Sequence, residues 1–194
     1  MSHWGKMMDF RKLDPSELAP LVEGTMTALE SKSVPVMNPF QFFEIGLQTA
    51  FNHVRAGALL WTAGLDGLLA AEKQRWFAPR LIRLLGKATR VFPEDWVGRR
   101  PRYTVENVAA SVFDLRNLIA HGKEILEKYR APIEFEFEPP ELAHLAVEKW
   151  TYETLLYESA LFTLIAALRK IITGGHVEMM KDKRAWERWL DSAS

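Results

Sequence analysis

The chain contains no cysteine among its 194 residues. Disulfide bonds, thiolate zinc sites and cysteine nucleophiles are therefore excluded, and a reducing compartment is favoured. The most apolar segment, Leu155 to Ile172, is interrupted by Glu158, Arg169 and Lys170, which is typical of a buried helix rather than a membrane span. The N-terminal residues lack the apolar core of a signal peptide. These absences predict a soluble, cytoplasmic protein with no membrane association.

Charge of one sign is not in excess either, because 25 Lys and Arg residues balance 25 Asp and Glu residues. Zero net charge argues against a protein that holds long nucleic acid by bulk electrostatics. The run Arg99-Arg100-Pro101-Arg102 is the candidate for a local basic patch, with a solvated loop as the alternative. A glycine-rich phosphate loop is also missing, since Gly174-Gly175 follows a predicted helix and is typical of a helix C-cap.

The chain does contain 48% hydrophobic residues and many helix signals. Its 194 residues are enough for one domain with a substantial core, or for one domain with extensions. Asp14-Pro15-Ser16-Glu17 predicts a helix start, with the helix running to about Ser31. Asn38-Pro39 predicts the start of a long helix that continues to about Lys73. Three glycines on that helix indicate the close approach of another helix; they are Gly57, Gly64 and Gly67.

Further helices are predicted to start at Pro79, at Thr104 and at Pro140. The Thr104 helix is predicted to reach about Tyr129 with a possible break at Gly122, and the Pro140 helix to reach Gly174. The strict alternation of Ile133 to Glu138 predicts one short strand, as a sheet edge, an extended arm or a dimer contact.

These elements predict an all-α, up-and-down helical bundle with helical extensions at both ends. We divide the chain into an N-terminal extension at residues 1–37, a bundle at 38–175 and a tail at 176–194. Asp182 to Leu190 predicts an amphipathic tail helix with Trp186 and Trp189 three residues apart. We expect this helix to pack back onto the bundle, the alternative being a contact with a partner.

The Thr104 helix carries an unusual polar stripe on an otherwise apolar surface. Asn117 and His121 are four residues apart and share one face, as does Asp114. Arg116 lies roughly 140° around the helix from His121, at about 100° per residue, but its long stem can reach the same opening. Arginine binds phosphate oxygens with a planar fork, and histidine transfers protons near neutral pH. The stripe therefore favours phosphate chemistry.

The motif Arg-Asn-x-x-x-His at Arg116, Asn117 and His121 resembles the Arg-x4-6-His motif of HEPN domains, and the run Phe113 to Gly122 is most similar to their ApeA-like branch. A second stretch, Leu60 to Leu69, is similar to an earlier helix of that branch, often Ala-Leu-Glu-x-Leu-Leu. Asp66 stands there where Glu is usual, and Gly64 where Ala is common. The resemblance covers residues 38–173.

The resemblance implies an all-α homodimer in which two motifs meet and form a metal-independent endoribonuclease site without a cofactor. It implies RNA as substrate or ligand, and a role in defence, as a toxin with an antitoxin partner, or in stress response. Arg116, His121 and Asn117 would be catalytic, supported by Asp114. Many HEPN domains do not cleave RNA, so a non-catalytic module that binds a nucleotide, RNA or protein is the alternative.

A purely structural role for the stripe also remains open at the sequence level. In that interpretation Arg116 pairs with Asp114 or with an acid on another helix, and His121 donates to a carbonyl. Glu141 and His144 have the spacing of a di-iron bundle, but the chain holds no second Glu-x-x-His, so a solvated or capping His144 is favoured. His53 is expected to be a partly buried, hydrogen-bonded histidine.

Overall fold

A computed structural model describes residues 34–71, 73–92, 100–101, 104–122, 135–136 and 152–192. Helices account for most of this part and confirm the all-α bundle. The α-helices in the described residues are α1 (Val34–Ala50), α2 (Val54–Leu69), α3 (Gln74–Leu85), α4 (Val105–Ala120), α5 (Tyr152–Thr173) and α6 (Lys183–Asp191). A short 3₁₀ turn at Met179–Lys181 precedes α6. The predicted helix from Asp14 to Ser31 lies outside the described residues.

The long helix predicted from Asn38 to Lys73 is wrong, because the chain turns back after α1 and forms a hairpin of α1 and α2. The backbone N–H groups of Asn52 and His53 both donate to Thr49 O, at 3.1 and 2.8 Å. The turn lets the apolar faces of the two helices bury each other, which one continuous helix cannot do. His53 is exposed in this turn, so the expectation of a partly buried histidine is also wrong.

Glycine permits the close approach of α1 and α2. A Cβ atom built on Gly57 would lie 2.5 Å from Ala50 Cβ and 2.7 Å from Gly46 O, both closer than atoms can pack. One on Gly64 would meet Leu164 Cδ2 of α5 at 3.2 Å. A Cβ on Gly67 would meet only Pro39 Cγ at 3.8 Å, an ordinary contact. The predicted close approach is therefore confirmed at Gly57 and Gly64 and wrong at Gly67.

Two prolines lie inside helices that they were predicted to start. Pro39 lies within α1 and Pro79 within α3, since these helices begin at Val34 and Gln74. A proline removes the hydrogen bond to the carbonyl four residues earlier, and here that carbonyl belongs to the first turn of the helix. Proline so near the N-terminus therefore interrupts little of the helix.

Beyond α3, the structure corrects one helix and gives the predicted strand a partner. Helix α4 ends at Ala120 rather than near Tyr129, and Gly122 has a positive φ of 62°, at the predicted break. Phe135–Glu136 pairs antiparallel with Arg100–Pro101, so this part of the predicted strand finds its partner in its own chain. The predicted start of the last long helix at Pro140 lies outside the described residues, and α5 ends with Gly175 at φ 68° as a C-cap.

One buried cluster joins side chains from the bundle and the tail. Trp61, Leu115 and Leu164 are fully buried within it, and Trp186 and Leu190 of α6 belong to the same cluster. The predicted packing of the tail helix onto the bundle is therefore confirmed. Among the described residues, the structure has no helix long and apolar enough to cross a membrane.

Helix α6 is fixed at the C-terminal end of α2, where the last carbonyls lack partners within the helix. The indole Nε1 of Trp186 donates to Leu68 O at 2.6 Å. The guanidinium of Arg80 donates to Leu69 O at 2.9 Å and to Ala70 O at 2.7 Å. Its other side donates to both carboxylate oxygens of Asp191 in α6, at 2.7 and 2.9 Å. Arg80 therefore joins the ends of α2 and α6 to α3.

Gly57 is closely packed and Gly67 is not, so replacement of each by alanine is predicted to change the free energy of unfolding in opposite directions. Gly57→Ala is expected to lower the free energy of unfolding by about 1–3 kcal/mol through overpacking against α1. Gly67→Ala is expected to raise it by about 0.5–1 kcal/mol, because alanine restricts the unfolded chain and favours the helix. Urea unfolding followed by circular dichroism measures both, and equal shifts would contradict the close approach at Gly57.

Arg80 is 7% exposed at its side chain, so its removal leaves carbonyls and a carboxylate without their donor. Arg80→Met is expected to lower the free energy of unfolding by about 2–4 kcal/mol. Arg83→Met is the matched control. Among the described residues, Arg83 makes one hydrogen bond, to the Ser192 hydroxyl at 3.3 Å, and lies 5.1 Å from the centroid of the Trp189 ring, so its loss should cost less than about 1 kcal/mol. Similar losses in both variants would show that Arg80 does not hold α6 in place.

Candidate functional site

The motif helix α4 is set in place by a polar cap at one end and apolar packing along its length. At the cap, Asn107 Oδ1 accepts from the Thr104 backbone N–H at 3.0 Å and from its hydroxyl at 2.8 Å. Val112 and Leu115 are fully buried between the neighbouring helices. This packing leaves the polar residues of the last turns at the margin of the core.

Arg116 extends from α4 to α2, where its Nη1 donates to Asp66 Oδ2 in an ion pair. The side chains are 35% and 17% exposed, so the pair lies at the edge of the core. The guanidinium carbon also lies 5.7 Å from the centroid of the Phe113 ring. One alternative for a purely structural stripe was that Arg116 pairs with an acid on another helix. The structure shows such an ion pair, with Asp66.

Asp66 lies in an unusual electrostatic environment for a carboxylate. Burial raises the pKa of Asp66 from its ordinary value of 3.8 to about 6, although the Arg116 guanidinium acts to lower it. Among the described residues, its buried Oδ1 atom has no hydrogen-bond partner. Burial of an unpartnered oxygen disfavours the charged form. A carboxyl group shifted towards neutral pH beside an arginine is a frequent feature of functional sites.

His121 lies at the end of α4 and is exposed. Its backbone N–H donates to Asn117 O at 3.1 Å, which closes the last turn. Within the part of the chain that the structure describes, its imidazole has no hydrogen bond or ion pair, and the expected bond to a carbonyl is not seen there. Asn117 and Asp114 are half-buried along the same helix. Among the described residues, therefore, only the exposed His121 of this stripe carries its polar group fully to the surface of α4.

A cavity of about 470 Å³ opens beside the Arg116–Asp66 pair. It lies between the end of α2, α4 and the start of α6, and its lining includes Ala70, Lys183 and Trp186. This volume is within the usual range for pockets that bind small molecules. Two cationic side chains and one carboxyl group face a partly apolar wall, an arrangement suited to an anionic ligand with a ring system.

The structure brings together the two stretches on which the HEPN resemblance rests, because Asp66 of the first contacts Arg116 of the second. Arg116 and His121 of one chain leave α4 in different directions, roughly 140° apart. The role of Asp66 was missed among the sequence-predicted site residues. One signal could have found it, since Asp66 is the only acidic residue of the apolar helix α2.

The side chains present are suited to acid–base and anion chemistry. A guanidinium neutralises charge on phosphate oxygens, and an exposed imidazole accepts or donates a proton. Among the described residues, no group of three His, Asp or Glu side chains is arranged to hold a metal ion.

The raised pKa of Asp66 predicts a pH-dependent stability. The folded state holds the proton more tightly than the unfolded chain, so the free energy of unfolding is expected to fall as the pH rises from about 4 to about 6. Asp66→Asn keeps an acceptor for Arg116 and should remove this fall, which amounts to at most about 3 kcal/mol. Urea unfolding at several pH values measures it, with the exposed Glu106→Gln as control. If the free energies of unfolding of wild type and Asp66→Asn differ by the same amount at every pH in this range, the pKa of Asp66 is not raised.

Comparisons of this chain with protein-family models, with curated proteins and with solved structures found no match.

Proposed function

We propose that the chain is a metal-independent endoribonuclease of the HEPN type, which cleaves RNA by attack of a 2′-hydroxyl at a composite site across a homodimer. The observation that carries this proposal is the anchoring of Arg116 by Asp66 beside an open cavity, with the exposed imidazole of His121 at the end of the same helix. A fixed guanidinium and an accessible imidazole are the two groups that the reaction requires.

In the proposed reaction, one His121 takes the proton of the 2′-hydroxyl as its oxygen attacks phosphorus. A second His121 gives a proton to the departing 5′-oxygen, which leaves a 2′,3′-cyclic phosphate and a 5′-hydroxyl. Each proton-transfer role typically contributes about 10²–10⁴ in rate. Arg116 stabilises the negative charge on the phosphate oxygens, Asn117 positions the phosphate or His121, and Asp114 orients the imidazole.

A homodimer accounts for the number of imidazoles that this reaction uses. The motif supplies one His121 per chain, whereas the reaction employs an acid and a base. A two-fold axis near the ends of α4 would bring two copies of the exposed His121 together, as closed symmetric dimers commonly do. It would also bring a second Arg116 to the same phosphate.

Asp66 contributes to the proposed site by fixing the direction of Arg116. A guanidinium has five N–H donors, and the ion pair with Asp66 is made through Nη1. Its other N–H groups have no acceptor among the described residues, so in the proposed site they bind phosphate oxygens.

The proposal predicts RNA cleavage in the presence of EDTA, with fragments that end in cyclic phosphate. His121→Ala and Arg116→Ala are each expected to lower the rate at least about 100-fold, because each removes a transition-state interaction. Gel electrophoresis of a labelled RNA with end-group analysis measures the products, and sedimentation velocity measures the dimer.

The matched controls are His53→Ala and Arg90→Ala, because both residues are exposed and lie outside the motif. Both should cleave at the wild-type rate. Circular dichroism of His121→Ala and Arg116→Ala establishes that the fold is kept. The proposal fails if His121→Ala still cleaves RNA at the wild-type rate. It also fails if His53→Ala loses as much activity as His121→Ala.

A non-catalytic module that binds a nucleotide, RNA or a protein such as an antitoxin is the second candidate. It is favoured by the pairing of Arg116 with Asp66, which partly neutralises the charge that a phosphoryl transition state would use. Tight RNA binding by the wild-type protein without any turnover would select this function. Turnover that depends on His121 would eliminate it.

A further inference from the structure

Two further depressions lie near the cavity beside Arg116, and each depression shares a lining residue with the next. A second depression, of about 270 Å³, shares Ala70 with this cavity. A third, of about 260 Å³, shares Trp76 with the second. The three neighbouring depressions are lined by residues from Arg116 to the length of helix α3, and we call them together the α3 groove. The side chains of this lining that the inference uses are Lys73, Arg75, Trp76, Arg83 and Arg116.

The α3 groove carries an excess of positive charge although the whole chain is neutral. Each of its acids has a cationic partner, and the pairs are Asp66 with Arg116, Asp191 with Arg80, and Glu187 with Lys183 at 3.8 Å. Lys73, Arg75 and Arg83 have no carboxylate partner among the described residues, and helix α3 contains no acidic residue. The excess therefore comes from these three side chains.

Trp76 stands between the second and third depressions and is 40% exposed. The guanidinium carbons of Arg75 and Arg80 lie 5.1 and 5.4 Å from the centroid of its ring. Proteins hold single-stranded nucleic acid with aromatic rings set among cations, because bases stack on the ring while phosphates meet the cations. Arg80 is buried and held by Asp191, but Arg75 is exposed, so a base that stacks on Trp76 takes the place of the Arg75 guanidinium, which then meets a phosphate.

We propose that the α3 groove binds single-stranded RNA and leads it to Arg116. This inference rests on the proposed function, since it names the form of the substrate and the surface that positions it. A single strand is specified because Trp76 can stack only on an unpaired base, whereas the bases of a duplex are stacked on one another. Lys73, Arg75 and Arg83 supply the contacts to the phosphates, so a protein of zero net charge holds a polyanion by a local surface.

The test is fluorescence anisotropy of a 5′-labelled oligouridylate at several salt concentrations. All variants are made in the His121→Ala background, so that the RNA stays intact. If three phosphates are contacted, a plot of the logarithm of the binding constant against the logarithm of the salt concentration should have a slope of about −2. Arg75→Gln and Arg83→Gln are each expected to weaken binding about three- to tenfold and to reduce the slope by about 0.7.

Trp76→Ala is expected to weaken binding about tenfold without a change of slope, because it removes stacking and no charge. Lys170→Gln is the control, since Lys170 is an exposed cation of α5 that does not line the groove and should leave affinity unchanged. Binding that all three groove variants leave unchanged would overturn the proposal. Equal affinity for a duplex of the same length would also overturn it, because stacking on Trp76 could then play no part.

Cleavage by the protein with His121 intact separates this inference from the proposed function. If that protein cleaves RNA and the groove variants bind as tightly as their parent, the groove inference fails and the nuclease proposal stands. If the groove variants bind more weakly but no RNA is cleaved, the groove is an RNA-binding surface and the nuclease proposal fails.

Discussion

The C-terminal end of α2 is the point on which the rest of the structure depends. Three successive carbonyls there, Leu68 to Ala70, accept hydrogen bonds from side chains of α3 and α6. A carbonyl buried without a partner costs on the order of 1–3 kcal/mol, so α6 could not cover this end with apolar side chains alone. The guanidinium of Arg80 and the indole of Trp186 make the covering possible. The positive charge of Arg80 also complements the negative end of the helix dipole.

The same turn determines where the candidate site lies. Asp66 belongs to the last turn of α2, and its carboxyl group holds Arg116 at the mouth of the cavity. Lys183 and Trp186 form another part of the lining, and Arg80 keeps their helix in place through Asp191. The packing of α6 and the candidate site are therefore coupled, since a change at the end of α2 alters both the contacts of α6 and the surroundings of Arg116.

Features that depend on neighbouring residues could be predicted from the sequence. The cap at Thr104, the end of α5 at Gly174-Gly175 and the start of α6 after Asp182 are set by side chains within a few positions. The all-α class follows from many such signals together. The turn at Asn52-His53 was missed, because its apolar flanks continue the helical pattern and only tertiary packing favours the break.

The candidate site was predictable only in part, for a related reason. The polar stripe of α4 is visible as a local pattern of Arg116, Asn117 and His121. The partner of Arg116 lies 50 residues away and that of Arg80 lies 111 residues away. Helical periodicity carries no information about which helices become neighbours, so neither pair could be read from spacing. The isolated acid of α2 indicates that Asp66 needs a partner, but not which one.

The hydrogen bond between Trp186 and Leu68 spans 118 positions and has a consequence for synthesis of the chain. While the protein is being made, α2 is complete long before its carbonyls can meet their indole donor. Contacts between such distant segments form late, because the intervening chain must be closed into a loop first. A nascent chain that stops short of α6 therefore lacks a wall of the Arg116 cavity. The order of translation thus delays assembly of this cavity until the bundle around it is nearly complete.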